Sequence, residues 1–275
     1  MRFHNIIRMF ALVFSVFAFV AAECENTKTM LAFDKIFPDN REIISNLNEP
    51  DTNFQSAEEW FKKGVAAYEN NDKGKAIEYY RKAIELKPDY ADAYFCIGFA
   101  YKRWWEKEDT AIEYFKKAIE LKPDYAEAYA NMGIAYGYWK EEYEKAIECY
   151  NKAIELKPDY AEAYVNMGRA YMRWKKQYKK AIECFEKAIA LKPDLAQAYF
   201  NMGEAYFGWR KQCKKAIKYY EKAIELNPDY IMAYMSMAFA YVERGNLKKS
   251  EECMKKAREI QRDDSKRRLL EKEFE

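Results

Sequence analysis

The sequence predicts an all-α solenoid, a stack of helix–turn–helix units, on three observations. The 275 residues include only 9 Gly and 7 Pro, which is few for a β fold rich in turns. Five prolines recur at intervals of 35 residues, at Pro88, Pro123, Pro158, Pro193 and Pro228. Between them, apolar residues follow the i, i+3, i+4, i+7 spacing of amphipathic helices. A period of this size indicates small units that cannot bury their apolar faces alone and therefore stack.

Residues 1–22 are predicted to be a cleaved export signal. A basic start is followed by an apolar run from Met9 to Ala22 that ends in small residues. The run has 14 residues, fewer than the ~17–25 that cross a bilayer as a helix. We therefore expect a periplasmic or secreted chain with no membrane insertion after cleavage, and an uncleaved N-terminal anchor is the alternative. A lipid anchor is not expected, because Glu23 separates the small residues from Cys24.

Charge and histidine content exclude several functions. The signal would carry two of the 47 Lys and Arg residues and none of the 45 Asp and Glu residues, so the mature chain would be neutral. A neutral chain has no general attraction for nucleic acid. The only histidine, His4, also lies in the signal, which removes imidazole bases and histidine metal ligands. Since phosphate-binding loops and Cys-x-x-Cys motifs are absent too, we predict a non-enzyme without cofactor or metal.

Residues 23–56 have an irregular pattern rich in Asn, Asp, Glu and Ser, and we predict that they form a tether. The repeating units follow. At the start of the third unit, Pro123 is predicted to stop the preceding helix. Asp124 and Glu127 have the spacing of a capping box, so we expect them to begin the next helix.

The repeating units resemble the tetratricopeptide repeat family. The family pattern consists of an aromatic residue, Leu-Gly, Tyr, Ala, a second aromatic residue, Ala and Pro. In the third unit the residues at these positions are Tyr129, Met132-Gly133, Tyr136, Ala146, Tyr150, Ala153 and Pro158. The resemblance implies a right-handed superhelix of six repeats over residues 57–264, with units at 57–90, 91–125, 126–160, 161–195, 196–230 and 231–264. Residues 265–275 are then expected to form a helix that caps the exposed end.

The turn between the two helices of a unit departs from the family pattern. Units two to five have 35 residues rather than the commoner 34, and each has a tryptophan in this turn in place of the usual glycine: Trp104, Trp139, Trp174 and Trp209. One interpretation is that each indole fills the wider turn. The alternative is an edge surface open to a partner, in which these tryptophans are flanked by Lys175, Lys176, Lys179 and Lys180.

The resemblance also implies a concave groove lined by the first helices of successive units. Asn131, Asn166 and Asn201 recur there, similar to the asparagine ladder of O-linked N-acetylglucosamine transferase repeats. A side-chain amide both donates and accepts, as the main chain of an extended peptide requires. The alternative is that part of the ladder serves the local fold. The other predicted groove residues are mostly apolar: Phe95, Phe99, Ile134, Arg169, Met172, Phe200 and Phe207.

Six cysteines in an exported chain would normally suggest disulfides, but their spacing opposes this. Cys149, Cys184 and Cys253 occupy one position in different units, and equivalent helices lie ~8–10 Å apart, beyond the ~7 Å limit for a disulfide. We predict free thiols, with Cys24 the best candidate for an interchain bond.

The combined prediction is a non-catalytic exported adaptor or scaffold that binds a protein or an extended peptide segment in its groove. Two alternatives stay open. One is a structural envelope component that self-associates, and the other is a regulatory partner of a separate enzyme.

Overall fold

The computed structural model describes residues 55–104 and 107–273. The predicted signal, residues 23–54 of the predicted tether, and Cys24 lie outside these residues. The described chain consists of α-helices and one short π-helical turn, and the predicted all-α solenoid is confirmed.

The helices follow one another in pairs. The pairs are α1 (Ala57–Glu69) with α2 (Lys73–Leu86), α3 (Ala91–Trp104) with α4 (Glu108–Leu121), α5 (Ala126–Ile134) with α6 (Tyr143–Leu156), α7 (Ala161–Arg173) with α8 (Tyr178–Leu191), α9 (Ala196–Gly208) with α10 (Cys213–Leu226), and α11 (Ile231–Glu243) with α12 (Leu247–Glu273). The π-helical turn, Ala135–Trp139, continues α5. The second helix of each pair packs against its partner and against the first helix of the next pair, so clusters of buried apolar residues follow one another along the stack.

The two helices of a pair approach closely where the first carries a glycine and the second a ring. A Cβ atom on Gly203 of α9 would lie 2.4 Å from Cε1 of Tyr220 in α10, whose side chain is fully buried. The missing methyl group therefore makes room for the ring. In the last pair Ala238 takes the glycine position, and the flexible Met254 replaces the ring in the same apolar cluster.

The predicted capping box at the start of α5 is wrong. The N-cap residue is Tyr125, which makes no side-chain capping bond, and Asp124 lies in the turn before it. The Glu127 carboxylate instead pairs with Lys157 at 3.0 Å. The Tyr125 ring at this N-cap packs against Phe95 of the preceding pair, with 5.0 Å between ring centres.

A capping box does form at the start of α1. The Ser56 hydroxyl accepts a hydrogen bond from the Glu59 amide at 3.2 Å, and the Ser56 amide donates to the Glu59 carboxylate at 3.0 Å. This pair satisfies two of the amides that a helix leaves unbonded at its N-terminus.

The turns within the pairs accommodate the extra residue in two ways. After α7 the backbone extends at Trp174 and then turns through Lys175 and Lys176, which have left-handed φ values of 56° and 50°. The turn after α9 repeats this geometry. After α5 the extra residue is absorbed by the π-helical turn, and only Glu141 is left-handed, with φ 54°. The same insertion therefore gives the third pair a different end to its first helix.

The C-terminal helix α12 continues without a break to Glu273, so most of the segment predicted to cap the stack extends the last repeat helix. The side chains from residue 264 onward lie outside the described part. Among the described residues, no helix is both long and apolar enough to cross a membrane.

Candidate functional site

The three asparagines predicted for the groove lie on the first helices of their pairs and differ in their bonding. The Asn131 amide nitrogen donates to the Glu127 carbonyl at 2.8 Å, and its oxygen accepts from the Lys102 ammonium. Both functions of this amide are therefore used within the protein.

Asn201 is only 5% exposed, and its amide nitrogen donates to the Gln197 carbonyl at 2.7 Å. Asn166 is half-buried and makes no hydrogen bond among the described residues. Two of the three amides thus support their own helix, as the alternative interpretation expected, and Asn166 alone has its donor and acceptor open.

The apolar groove residues are half-buried, since they also pack on the core. Phe95 stacks on Phe99 with 6.2 Å between centres, and Phe200 lies 5.0 Å from the Tyr230 ring. Ile134, Met172 and Phe207 likewise pack against core clusters. The most exposed apolar side chains of the first helices lie on α11, where Phe239 is 57% and Val242 is 47% exposed.

A cationic cluster lies between the third and fourth pairs. The guanidinium carbons of Arg169 and Arg173 lie 6.0 and 5.7 Å from the centre of the Tyr138 ring, and Asn166 lines the same small cavity. We call these four residues the arginine site. Arg169 and Asn166 were predicted for the groove, whereas Arg173 and Tyr138 were missed.

The sequence contains a signal for one of the two missed residues and none for the other. Arg173 follows Arg169 by four residues, so the two share one face of α7, and the sequence could have indicated this. Tyr138 lies in the π-helical turn after α5 and is 54% exposed. A π-helical turn has no clear sequence signature, so its position could not be predicted.

A third cation, Lys102 of α3, contacts two of the predicted groove residues. Burial lowers the pKa of its ammonium to about 8, and the neighbouring Arg103 charge acts in the same direction. The ammonium lies 4.5 Å from the centre of the Phe99 ring and donates to Asn131. This cation has no carboxylate partner within the described part of the chain.

The tryptophans of the predicted edge surface are half-buried where they are described. Trp104 packs on Tyr68 with 4.6 Å between ring centres, and Trp174 and Trp209 pack against core clusters. The side chain of Trp139 lies outside the described residues. Around them, Lys175, Lys176, Lys179 and Lys180 are exposed. For the three described indoles, this geometry favours the interpretation that the ring fills its turn.

The cysteines and carboxylates offer little reactive chemistry. Five cysteines in the described residues are free thiols, and burial raises the pKa of Cys149 and of Cys184 to about 12, which keeps them protonated and unreactive. No group of three or more potential metal ligands occurs within residues 55–104 and 107–273.

Comparisons with known proteins match this architecture along most of its length. A family profile described as TPR repeat matches residues 64–103, 107–137 and 138–173. Two profiles described as tetratricopeptide repeat match residues 159–229 and 210–272.

Solved structures give the same result. The crystal structure of MamA is 32% identical and covers 62% of this chain and 97% of its own, with a TM-score of 0.53. MamA from Desulfovibrio magneticus RS-1 is 28% identical, covering 63% and 96%, with a TM-score of 0.54. The pilF protein of Pseudomonas aeruginosa is 20% identical, covering 72% and 88%, with a TM-score of 0.62, and this likeness concerns the fold alone.

Among curated proteins, an uncharacterized protein of Methanocaldococcus jannaschii is 51% identical over 45 residues, 16% of this chain. The chain spans about half of that relative, 52% of its length.

Proposed function

This chain belongs to the tetratricopeptide repeat family, a family of protein-binding adaptors in general, and from that premise we propose that its groove binds an extended protein segment without catalysis. The observation that carries the proposal is the exposed lining of the groove. It combines the open amide of Asn166 with the exposed apolar side chains of Phe239 and Val242. Exposed apolar groups bordered by polar ones are typical of protein-binding surfaces.

The roles of the three asparagines differ in this proposal. Asn166 binds the main chain of the segment directly, since it gives up no internal hydrogen bond to do so. Asn131 and Asn201 hold the helix surface in shape through their bonds to Glu127 and Gln197. A single amide bond contributes only about 0.5–1.5 kcal/mol net, so apolar contacts carry most of the affinity.

Site-specific photocrosslinking in the native cell tests this function. A photoreactive amino acid is placed at Asn166 or at Phe239, both in the groove. The control carries it at Lys218, an exposed position on α10 outside the groove. We expect a defined adduct from the two groove positions and none from Lys218. Equal adducts from all three positions, or none from the groove, would contradict the proposal.

Export is part of the same proposal, because the apolar run from Met9 to Ala22 has the pattern of a cleaved signal. Mass spectrometry of the N-terminal peptide from the native cell tests it. Cleavage predicts a chain that begins at Glu23, whereas a chain that retains Met9 would support the anchor.

A further inference from the structure

The arginine site holds two positive charges that form no ion pair within the described residues. The guanidinium carbons of Arg169 and Arg173 lie 6.0 and 5.7 Å from the centre of the Tyr138 ring. Both guanidinium groups belong to residues that line one small cavity, so an anion bound there would be stabilised by both charges. Burial raises the pKa of the nearby Tyr150, and the charge of Arg169 opposes part of that rise.

The geometry of the site suits a carboxylate. A guanidinium group presents paired N–H donors in a plane, which match the two oxygens of a carboxylate. Asn166 adds an amide with its donor unused, and it lines the same cavity as the two arginines. The Tyr138 ring holds the guanidinium groups by cation–π contact and limits their freedom before any ligand binds.

The first helices differ in charge and polarity along the stack. Lys102 places a further unpaired cation on α3, on the N-terminal side of the arginine site. On the C-terminal side, position 204 of α9 is a glutamate that accepts a hydrogen bond from the Tyr220 hydroxyl at 2.6 Å. Beyond it α11 is apolar, with Phe239 and Val242 exposed. Anionic groups therefore fit over α3 to α7 and apolar groups over α11.

We propose that the groove selects segments in which internal Asp or Glu side chains bind the arginine site, with apolar side chains packing against α11. This inference rests on the proposed function, since it specifies the chemistry of the segment that the groove binds. The carboxylates are those of side chains, because the site lies midway along the stack and leaves room for chain on both sides.

Selection from a random library of phage-displayed dodecapeptides tests the inference with the purified full chain. We expect the selected peptides to be enriched in Asp and Glu over the input library, with apolar residues to one side of them. The R169Q/R173Q variant should lose this enrichment. K179Q/K180Q, which removes the same charge from exposed positions of α8 outside the groove, should keep it. Circular dichroism melts check that both variants fold.

Binding of one selected peptide, measured by fluorescence polarisation, supplies the quantitative arm. Replacing its acidic residue with the matching amide should weaken binding to the native chain at least about tenfold and have little effect on R169Q/R173Q. Amidation of the peptide C-terminus should change binding by less than about twofold. A loss on amidation would overturn the assignment to side chains, and a phosphoserine peptide that binds far more tightly would overturn the assignment to carboxylates.

The two proposals fail in different ways. If the selected peptides are not enriched in acidic residues but their binding still depends on Phe239 and Asn166, the arginine site does not select the segment. Groove binding itself would then remain supported. If the native chain selects no peptide at all, both proposals are contradicted.

Discussion

At the scale of single residues, the fold depends on glycines whose missing side chains leave room for buried aromatic rings. Gly203 faces the buried ring of Tyr220, and equivalent glycines face equivalent rings in the earlier pairs. A side chain at such a position would need the ring or a helix to move, and densely packed interiors resist that movement.

Gly203→Ala is expected to lower the free energy of unfolding by about 1–3 kcal/mol, because the new Cβ would lie 2.4 Å from Tyr220. Gly74→Ala is the matched control. Gly74 lies in α2 with no atom within 4 Å of a built Cβ, so alanine there should be neutral or stabilise by up to about 1 kcal/mol. Urea unfolding followed by circular dichroism measures both. If both variants lose the same free energy of unfolding, the close approach to the ring does not explain why glycine occurs at position 203.

Lys102 should make stability depend on pH. Its folded pKa of about 8 lies below the ordinary value, so between these values the folded state binds fewer protons than the unfolded state, and stability rises with pH. Lys102→Met removes this contribution. We therefore expect the native chain to gain stability relative to Lys102→Met between pH 7 and about pH 10, by up to about 1.4 kcal/mol per pH unit. Urea titrations at both pH values measure the difference, and a constant difference would contradict the burial of this charge.

At the scale of helices, sequence reasoning succeeds where spacing decides and fails where competition between contacts decides. The recurring prolines and the helical spacing of Tyr129, Met132 and Tyr136 were enough to predict the all-α solenoid. The start of α5 was misassigned, because the ring of Tyr125 packs on Phe95 and outweighs the capping spacing of Asp124. Such a contact joins residues far apart in sequence, and a local pattern does not contain it.

The two candidate capping residues should therefore respond differently to alanine. Ser56→Ala removes a capping bond that α1 makes and should cost about 1 kcal/mol of local stability. Asp124→Ala removes no capping bond from α5 and should change stability by less than about 0.5 kcal/mol. Hydrogen exchange of the first-turn amides of α1 and α5 measures each effect locally. Faster exchange of the α5 amides in the Asp124→Ala variant would contradict this account and show that Asp124 caps this helix.

The candidate site shows the same limit of sequence reasoning. The family resemblance and the repeat positions were enough to predict Asn166 and Arg169 for the groove, and Arg173 could have been found from its spacing to Arg169. The position of Tyr138, whose ring contacts both arginines, could not be predicted, because this residue lies in a π-helical turn. Register likewise could not reveal that Asn131 and Asn201 bond to their own helices.

At the scale of the whole molecule, the stack behaves as a linear array in which each pair contacts its neighbours. Its first helices carry, in chain order, the cation Lys102, the arginine site and the exposed Phe239, which together form the groove proposed above. A surface that varies along its length in this way can distinguish both the composition and the direction of a bound segment.

A crystal structure of the chain with a peptide selected from the library tests the central claim most directly. The account predicts an extended peptide along the first helices, with a carboxylate between Arg169 and Arg173 and an apolar side chain against Phe239. A peptide bound outside the groove, for example at the tryptophan turns or on the second helices, would contradict it.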